Sequence, residues 1–209
     1  MIRGFDPTAA LLALVITSLA LGLLQPVARR LNLLDHPAGR KDHAVPTPVT
    51  GGLAILLGCV VAFFAVQTSS TSLLAFCGAA LLLVIVGVYD DLHDVRWYWR
   101  IIAQAIAALI IIYAGGVRVE QIGPVFGLGA MSLGWLSVPF TVFATIGLIN
   151  AMNMIDGADG LAGLLGLAAL SMLAAASIYA GNTLLAERTS VLCGALTGFL
   201  IWNIRLPWR

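Results

Sequence analysis

Charged side chains are what this chain has least of. Of 209 residues, 11 are Lys or Arg and 10 are Asp or Glu, 10% in all, where soluble domains carry about 25%. Charge this sparse excludes an ordinary water-exposed domain. A formal net charge of +1 excludes nucleic acid as the main partner. Cysteine is scarce as well: Cys59, Cys77 and Cys193 are odd in number, form no CxxC pair and lie inside apolar runs. That excludes a disulfide framework and a zinc site, and leaves them as small apolar side chains. Internal repeats, low-complexity tracts and polar linkers are missing, so residues 1–209 read as a single membrane domain. Alternating ten-residue segments, the mark of a transmembrane β-barrel, are missing too.

Apolar residues are what is there, at 60% of the chain and a mean hydropathy of +1.00. Seven apolar runs stand out, at about 9–27, 51–67, 73–89, 98–114, 135–152, 161–180 and 189–204. Each approaches the ~20 residues a helix needs to cross ~30 Å of hydrocarbon, the shorter ones with interfacial flanks. Backbone groups in lipid must be paired within the segment, so the runs are helices. The expected fold is an all-α integral membrane protein, a polytopic bundle of about seven transmembrane helices. The first run, Ala9 to Leu24, is too long for a signal-peptide core. Only Arg3 precedes it and Arg29-Arg30 follow, so a retained span is expected.

Basic residues orient the chain. With the N-terminus outside, the inner loops hold Arg29, Arg30, Arg40, Lys41, Arg96, Arg100, Arg205 and Arg209, and the outer face holds Arg3, Arg118 and Arg188. Eight against three selects N-terminus out and C-terminus cytoplasmic. Seven acids, Asp35, Asp42, Asp90, Asp91, Asp94, Asp156 and Asp159, share the inner side. No targeting rule requires that, and it points to a site there. In the outer loop between helices four and five, Val117-Arg118-Val119-Glu120 alternates apolar and charged residues, which suggests a small hairpin.

Three inner clusters carry the chemistry. The first is Asp35-His36-Pro37-Ala38-Gly39-Arg40-Lys41-Asp42-His43, running on to Gly51-Gly52. Its prolines forbid a regular helix, and Arg40, Lys41 and His43 can hold phosphate oxygens; an ordinary basic inner loop is the plain alternative. The second is Gly87-Val88-Tyr89-Asp90-Asp91. Adjacent carboxylates repel, and keeping both ionised takes a cation or strong donors. A hard divalent ion, Mg²⁺ or Mn²⁺, suits oxygen ligands, with a solvated helix cap as the alternative. The third is Asn150-Ala151-Met152-Asn153-Met154-Ile155-Asp156-Gly157-Ala158-Asp159-Gly160. Its polar groups recur every third residue and drift 60° per step round an α-helix, so one shared cavity requires a break, expected at Gly157 and Gly160. Two helix-capping motifs are the alternative reading.

Together the stretches DHPAGRKDHAVPTPVTGG, GVYDD and NAMNMIDGADGLA resemble the polyprenyl-phosphate N-acetylhexosamine-1-phosphate transferases, glycosyltransferase family 4, in order, spacing and side of the membrane. The first loop looks like the branch using UDP-N-acetylglucosamine or a related UDP-sugar. The resemblance implies transfer of a sugar 1-phosphate to undecaprenyl phosphate with release of UMP, dependent on Mg²⁺ or Mn²⁺. It implies a bacterial inner-membrane enzyme facing the cytoplasm, opening a cell-surface polysaccharide pathway such as O-antigen synthesis. Its partners are undecaprenyl phosphate, the UDP-sugar and membrane lipid, with a homodimer as an open alternative. By resemblance Asp90 and Asp91 are catalytic and near the metal, and Asn153 ligates the metal. Lys41, His43, Asn150, Asp156, Asp159 and Asn203 bind substrate, Asp159 toward the uracil. Arg100 stands where the family commonly has lysine. Family members continue past Asn203 into a GDxG motif and a histidine-rich loop, so the chain is expected to be a C-terminally truncated member. An inactive fragment of such an enzyme is the first alternative. A small transporter, which calls for acids at helix centres, is the second.

Overall fold

A computed structural model describes residues 5–31, 34–35, 47–48, 50–66, 70–93, 95–124, 129–155 and 160–204. Among these residues seven α-helices form: α1 (Pro7–Arg30), α2 (Gly51–Val66), α3 (Thr71–His93), α4 (Trp97–Tyr113), α5 (Ser137–Ile155), α6 (Leu161–Tyr179) and α7 (Thr183–Asn203). Two-residue strands make two ladders, β1 (Leu34–Asp35) with β2 (Thr47–Pro48) and β3 (Gln121–Ile122) with β4 (Met131–Ser132), both antiparallel. The chain is an all-α polytopic membrane protein. Among the described residues five segments are long and apolar enough to cross a membrane: α1, α3, α5 with its leading turn, α6 and α7. Helices α2 and α4, with 16 and 17 residues, fall short of the ~30 Å of hydrocarbon at 1.5 Å per residue and need their interfacial flanks.

Two compact groups of helices make up the chain, one from 1–69 and 154–209, the other from 70–153. In the first, α1 packs along both α7 and α2, and α6 packs along α7. The cause is a run of small residues. Helix α1 buries Ala9, Ala13, Thr17 and Ala20, α2 buries Ala54, Gly58 and Ala62, and α7 buries Gly194, Ala195 and Gly198. Lipid is as apolar as leucine, so helices in it associate by close backbone approach and van der Waals fit. An added methyl at Gly194 runs into the Ala10 carbonyl, and one at Gly58 into the Thr17 hydroxyl. Within this group, Trp202 Nε1 donates to Ser18 Oγ at 2.8 Å.

Local signals set the helix ends. Asp6 caps α1, its Oδ1 accepting from the N–H groups of Thr8 at 3.0 Å and Ala9 at 3.1 Å, with Pro7 at the first helical position, where no N–H is needed. Helix α7 begins at Thr183, earlier than the apolar run at about 189. Asn182 caps it through Leu185 N–H at 3.1 Å, so Glu187 and Arg188 lie within the helix rather than in an outer loop. Capping chemistry, not hydropathy, decides that boundary.

In the second group, α3 packs on α4, and α4 buries Ala103, Gln104, Ala107, Ala108 and Ile112. The hairpin expected between helices four and five exists, displaced from the alternating stretch. Its register pairs Gln121 with Ser132 and Ile122 with Met131, while 117–120 lies just outside it. Val119 N–H donates to Thr141 Oγ1 at 2.9 Å and Val119 C=O accepts from Ser137 Oγ at 2.7 Å. Side chains of the first turns of α5 thus replace a neighbouring strand.

Candidate active site

Asp90 and Asp91 sit in the last turn of α3, where successive side chains point 100° apart. The helix therefore separates the two carboxylates. Asp90 faces a cavity of about 190 Å³ lined by Gly87, Asp90, Arg100, Gln104, Asn150 and Asn153, with Leu83, Val86, Ala103 and Ile149 as apolar walls. Asp91 is exposed beside it and is not among its lining residues.

Both oxygens of Asp90 are engaged. Oδ1 accepts from Val95 N–H at 3.0 Å, which ties the α3–α4 connection to the end of α3. Oδ2 accepts from an Arg100 guanidinium N–H at 3.0 Å. The Asp90 side chain is 18% exposed and that of Arg100 41%, so the pair sits where a charged hydrogen bond is stronger than at an open surface. The strong donor that two adjacent carboxylates call for is, at Asp90, an arginine ten residues on. Around the end of α3, the Tyr89 ring stacks on His93 with centroids 4.2 Å apart. Trp97 and Trp99 are exposed, as expected of aromatic anchors at a membrane interface.

Helix α5 brings Asn150 and Asn153 to the same cavity, one turn apart and about 60° round the axis. Asn150 Nδ2 donates to Gln104 Oε1 at 2.7 Å and to the Ile146 carbonyl at 2.8 Å. The cavity thus joins Asp90, Asn150 and Asn153 from the expected set, and adds Arg100 and Gln104 of α4. A polar signal was there, since Arg100 and Gln104 lie four apart on an otherwise apolar helix, but nothing local says what they face.

The expected helix break is present in its described part: α5 ends at Ile155, α6 starts at Leu161, and Gly160 between them has φ +78°. That left-handed conformation suits glycine, and a methyl there would also lie 2.9 Å from Ile204 Cγ1. Asn203 ends α7 close to this turn, its Oδ1 3.8 Å from the position of such a methyl. Lys41, His43, Asp156 and Asp159 lie outside the described residues, as does Gly157.

The donors around Asp90 are carboxylate and carboxamide oxygens, the ligand type of a hard cation. Among the described residues no three His, Cys, Asp or Glu side chains converge, so any ion here takes a mixed set including Asn and substrate oxygens. That fits magnesium, which is commonly held by one or two carboxylates plus phosphate oxygens.

Comparison with known proteins agrees with these stretches. The family model described as glycosyl transferase family 4 matches residues 73–206. A Bacillus subtilis (strain 168) protein named "Probable undecaprenyl-phosphate N-acetylglucosaminyl 1-phosphate transferase" is 29% identical over 196 residues, 91% of this chain and 54% of its own length. An Escherichia coli (strain K12) protein named "Undecaprenyl-phosphate alpha-N-acetylglucosaminyl 1-phosphate transferase" is 30% identical over 193 residues, 92% of this chain and 53% of its own. A Yersinia pestis protein of the same name is 32% identical over 127 residues, 61% of this chain and 35% of its own. The chain spans about half the length of these Bacillus subtilis and Escherichia coli relatives.

Proposed function

The chain belongs to glycosyl transferase family 4, and from that premise we propose that it transfers N-acetylglucosamine 1-phosphate from UDP-N-acetylglucosamine to undecaprenyl phosphate, releasing UMP. The observation that carries this reading is the cavity at the end of α3, where Asp90, Arg100, Asn150 and Asn153 converge at the end of an apolar span. A lipid phosphate lying at headgroup depth meets a polar site there, and the lipid tail stays in the bilayer.

Both substrates are anions. Mg²⁺ or Mn²⁺, held by Asp90, Asp91 and Asn153 with phosphate oxygens, supplies charge neutralisation on the pyrophosphate when bound. The chain's own residues do the rest. Arg100, with Lys41 and His43 of the first loop, takes phosphate charge. Asn150, Asp156, Asp159 and Asn203 hold the nucleotide sugar, Asp159 toward the uracil. An oxygen of the lipid phosphate bonds to the sugar-linked phosphorus as the bond from that phosphorus to the bridging oxygen breaks, and UMP leaves with that oxygen. Asp91, exposed beside the cavity, orients the attacking phosphate or takes its proton. The alternative route is a double displacement with an aspartate nucleophile, which a trapped phospho-aspartyl enzyme would reveal.

The site faces the cytoplasm across a bacterial inner membrane, with surrounding lipid and a second copy of the chain as further partners, within one membrane domain. The test is UMP release from UDP-N-acetylglucosamine by the purified 209-residue chain with undecaprenyl phosphate and Mg²⁺. Release is expected, lowered at least ~100-fold in Asp91→Asn and Asp90→Asn. A folded chain with no release overturns this reading for the 209-residue chain.

A further inference from the structure

Gln104 is only 8% exposed, in a helix whose buried neighbours are Ala103, Ala107 and Ala108. A carboxamide in such surroundings costs free energy unless paired. Its oxygen accepts from Asn150 Nδ2, which gives its other hydrogen to the Ile146 carbonyl. A backbone carbonyl can only accept, so the Asn150 atom facing Ile146 has to be the amide nitrogen. The Gln104 atom facing that nitrogen then has to be its oxygen. The backbone thus settles both amide orientations, which are otherwise ambiguous.

Asn150 has both hydrogens committed. What it has left is Oδ1, and it lines the cavity with Asp90, Arg100 and Asn153. A flipped Asn150 would offer donors there and lose both bonds. We propose that Gln104 is a positioning residue, which holds Asn150 so that its carboxamide oxygen serves the cavity as an acceptor for an O–H or N–H of the bound UDP-sugar. The pair stands on geometry alone; only the identity of the ligand rests on the transferase reading.

The test uses the 209-residue chain in micelles, ¹⁵N-labelled at Asn and Gln side chains, with the Asn150 signals assigned by their loss in Asn150→Ala. In wild type the Asn150 amide hydrogens are expected to exchange slowly and to shift when UDP-N-acetylglucosamine is added. Gln104→Leu speeds that exchange at least ~10-fold and abolishes the shift, while Gln104→Glu, which keeps an acceptor oxygen, preserves both. In turnover, Gln104→Leu lowers kcat about tenfold or more with KM little changed, and adding Asn150→Ala lowers it no further, since the two residues act as a unit. Unchanged exchange in Gln104→Leu overturns the pairing. An unchanged kcat, or no shift of the wild-type Asn150 signals with the nucleotide sugar, overturns the positioning role. A wild type that binds and shifts but releases no UMP fails the transferase reading and leaves this one standing.

Discussion

Asp6 and Asp90 both accept from main-chain N–H groups, but only Asp6 is a helix cap: Asp90 lies in the last turn of α3, where the open groups are carbonyls, and takes the Val95 N–H of the connection to α4. At Asp6 the Thr8 hydroxyl, then the N–H of Ala9 and, more weakly, that of Thr8, hold the carboxyl below its ordinary value of 3.8; burial opposes them in part. A carboxyl lowered on folding stabilises fully above its unfolded value and loses that contribution as pH falls through the folded one. Asp6→Asn keeps a capping oxygen and cannot titrate. Wild type is therefore expected to lose Tm relative to Asp6→Asn only below about pH 4, and Asp6→Ala to cost about 1 kcal/mol at neutral pH. Thermal unfolding in detergent across that range checks both; a wild-type-to-Asn gap that does not change with pH contradicts the capping charge. At Asp90 the partner set includes an arginine, and that difference separates a cap from a site. Arg100 can exchange the carboxylate for an incoming phosphate, which no backbone amide at Asp6 is placed to do.

At the scale of elements, close contact among α1, α2 and α7 depends on residues with no side chain to spare. Gly194 sits against the Ala10 carbonyl and Gly58 against Thr17, whereas Gly78 on α3 has open space around it. Gly58→Ala and Gly194→Ala are expected to destabilise by about 1–3 kcal/mol, because backbone has to move. Gly78→Ala should be neutral or stabilising by up to about 1 kcal/mol through helix propensity alone. Melting curves of the three variants decide this, and equal melting temperatures refute the packing account. Apolar runs foretold α2 to within a residue, because the boundary between lipid-compatible and polar sequence is local information. The start of α7 and the position of the hairpin escaped that reading. Asn182 and Ser137 act through hydrogen bonds to particular backbone groups, and an average over hydropathy does not register them.

For the whole molecule, the distribution of Lys and Arg predicts that the α2–α3 connection lies outside and the α3–α4 connection inside. With Cys59, Cys77 and Cys193 replaced by Ser, Ser70→Cys should react with a membrane-impermeant maleimide in intact cells, and Val95→Cys only after permeabilisation; the reverse pattern inverts the topology. The helical membrane class, the approximate positions of the apolar helices and the polar stretches GVYDD and NAMNMID were determined by the sequence alone, since composition and spacing are properties of the chain itself. Which carboxylate of the pair faces the cavity, that Arg100 meets Asp90, and that Gln104 orients Asn150 were decided only by the tertiary structure. A helix turns its side chains 100° per residue, and the neighbour each one meets depends on how that helix is rotated against residues ten or forty-six positions away.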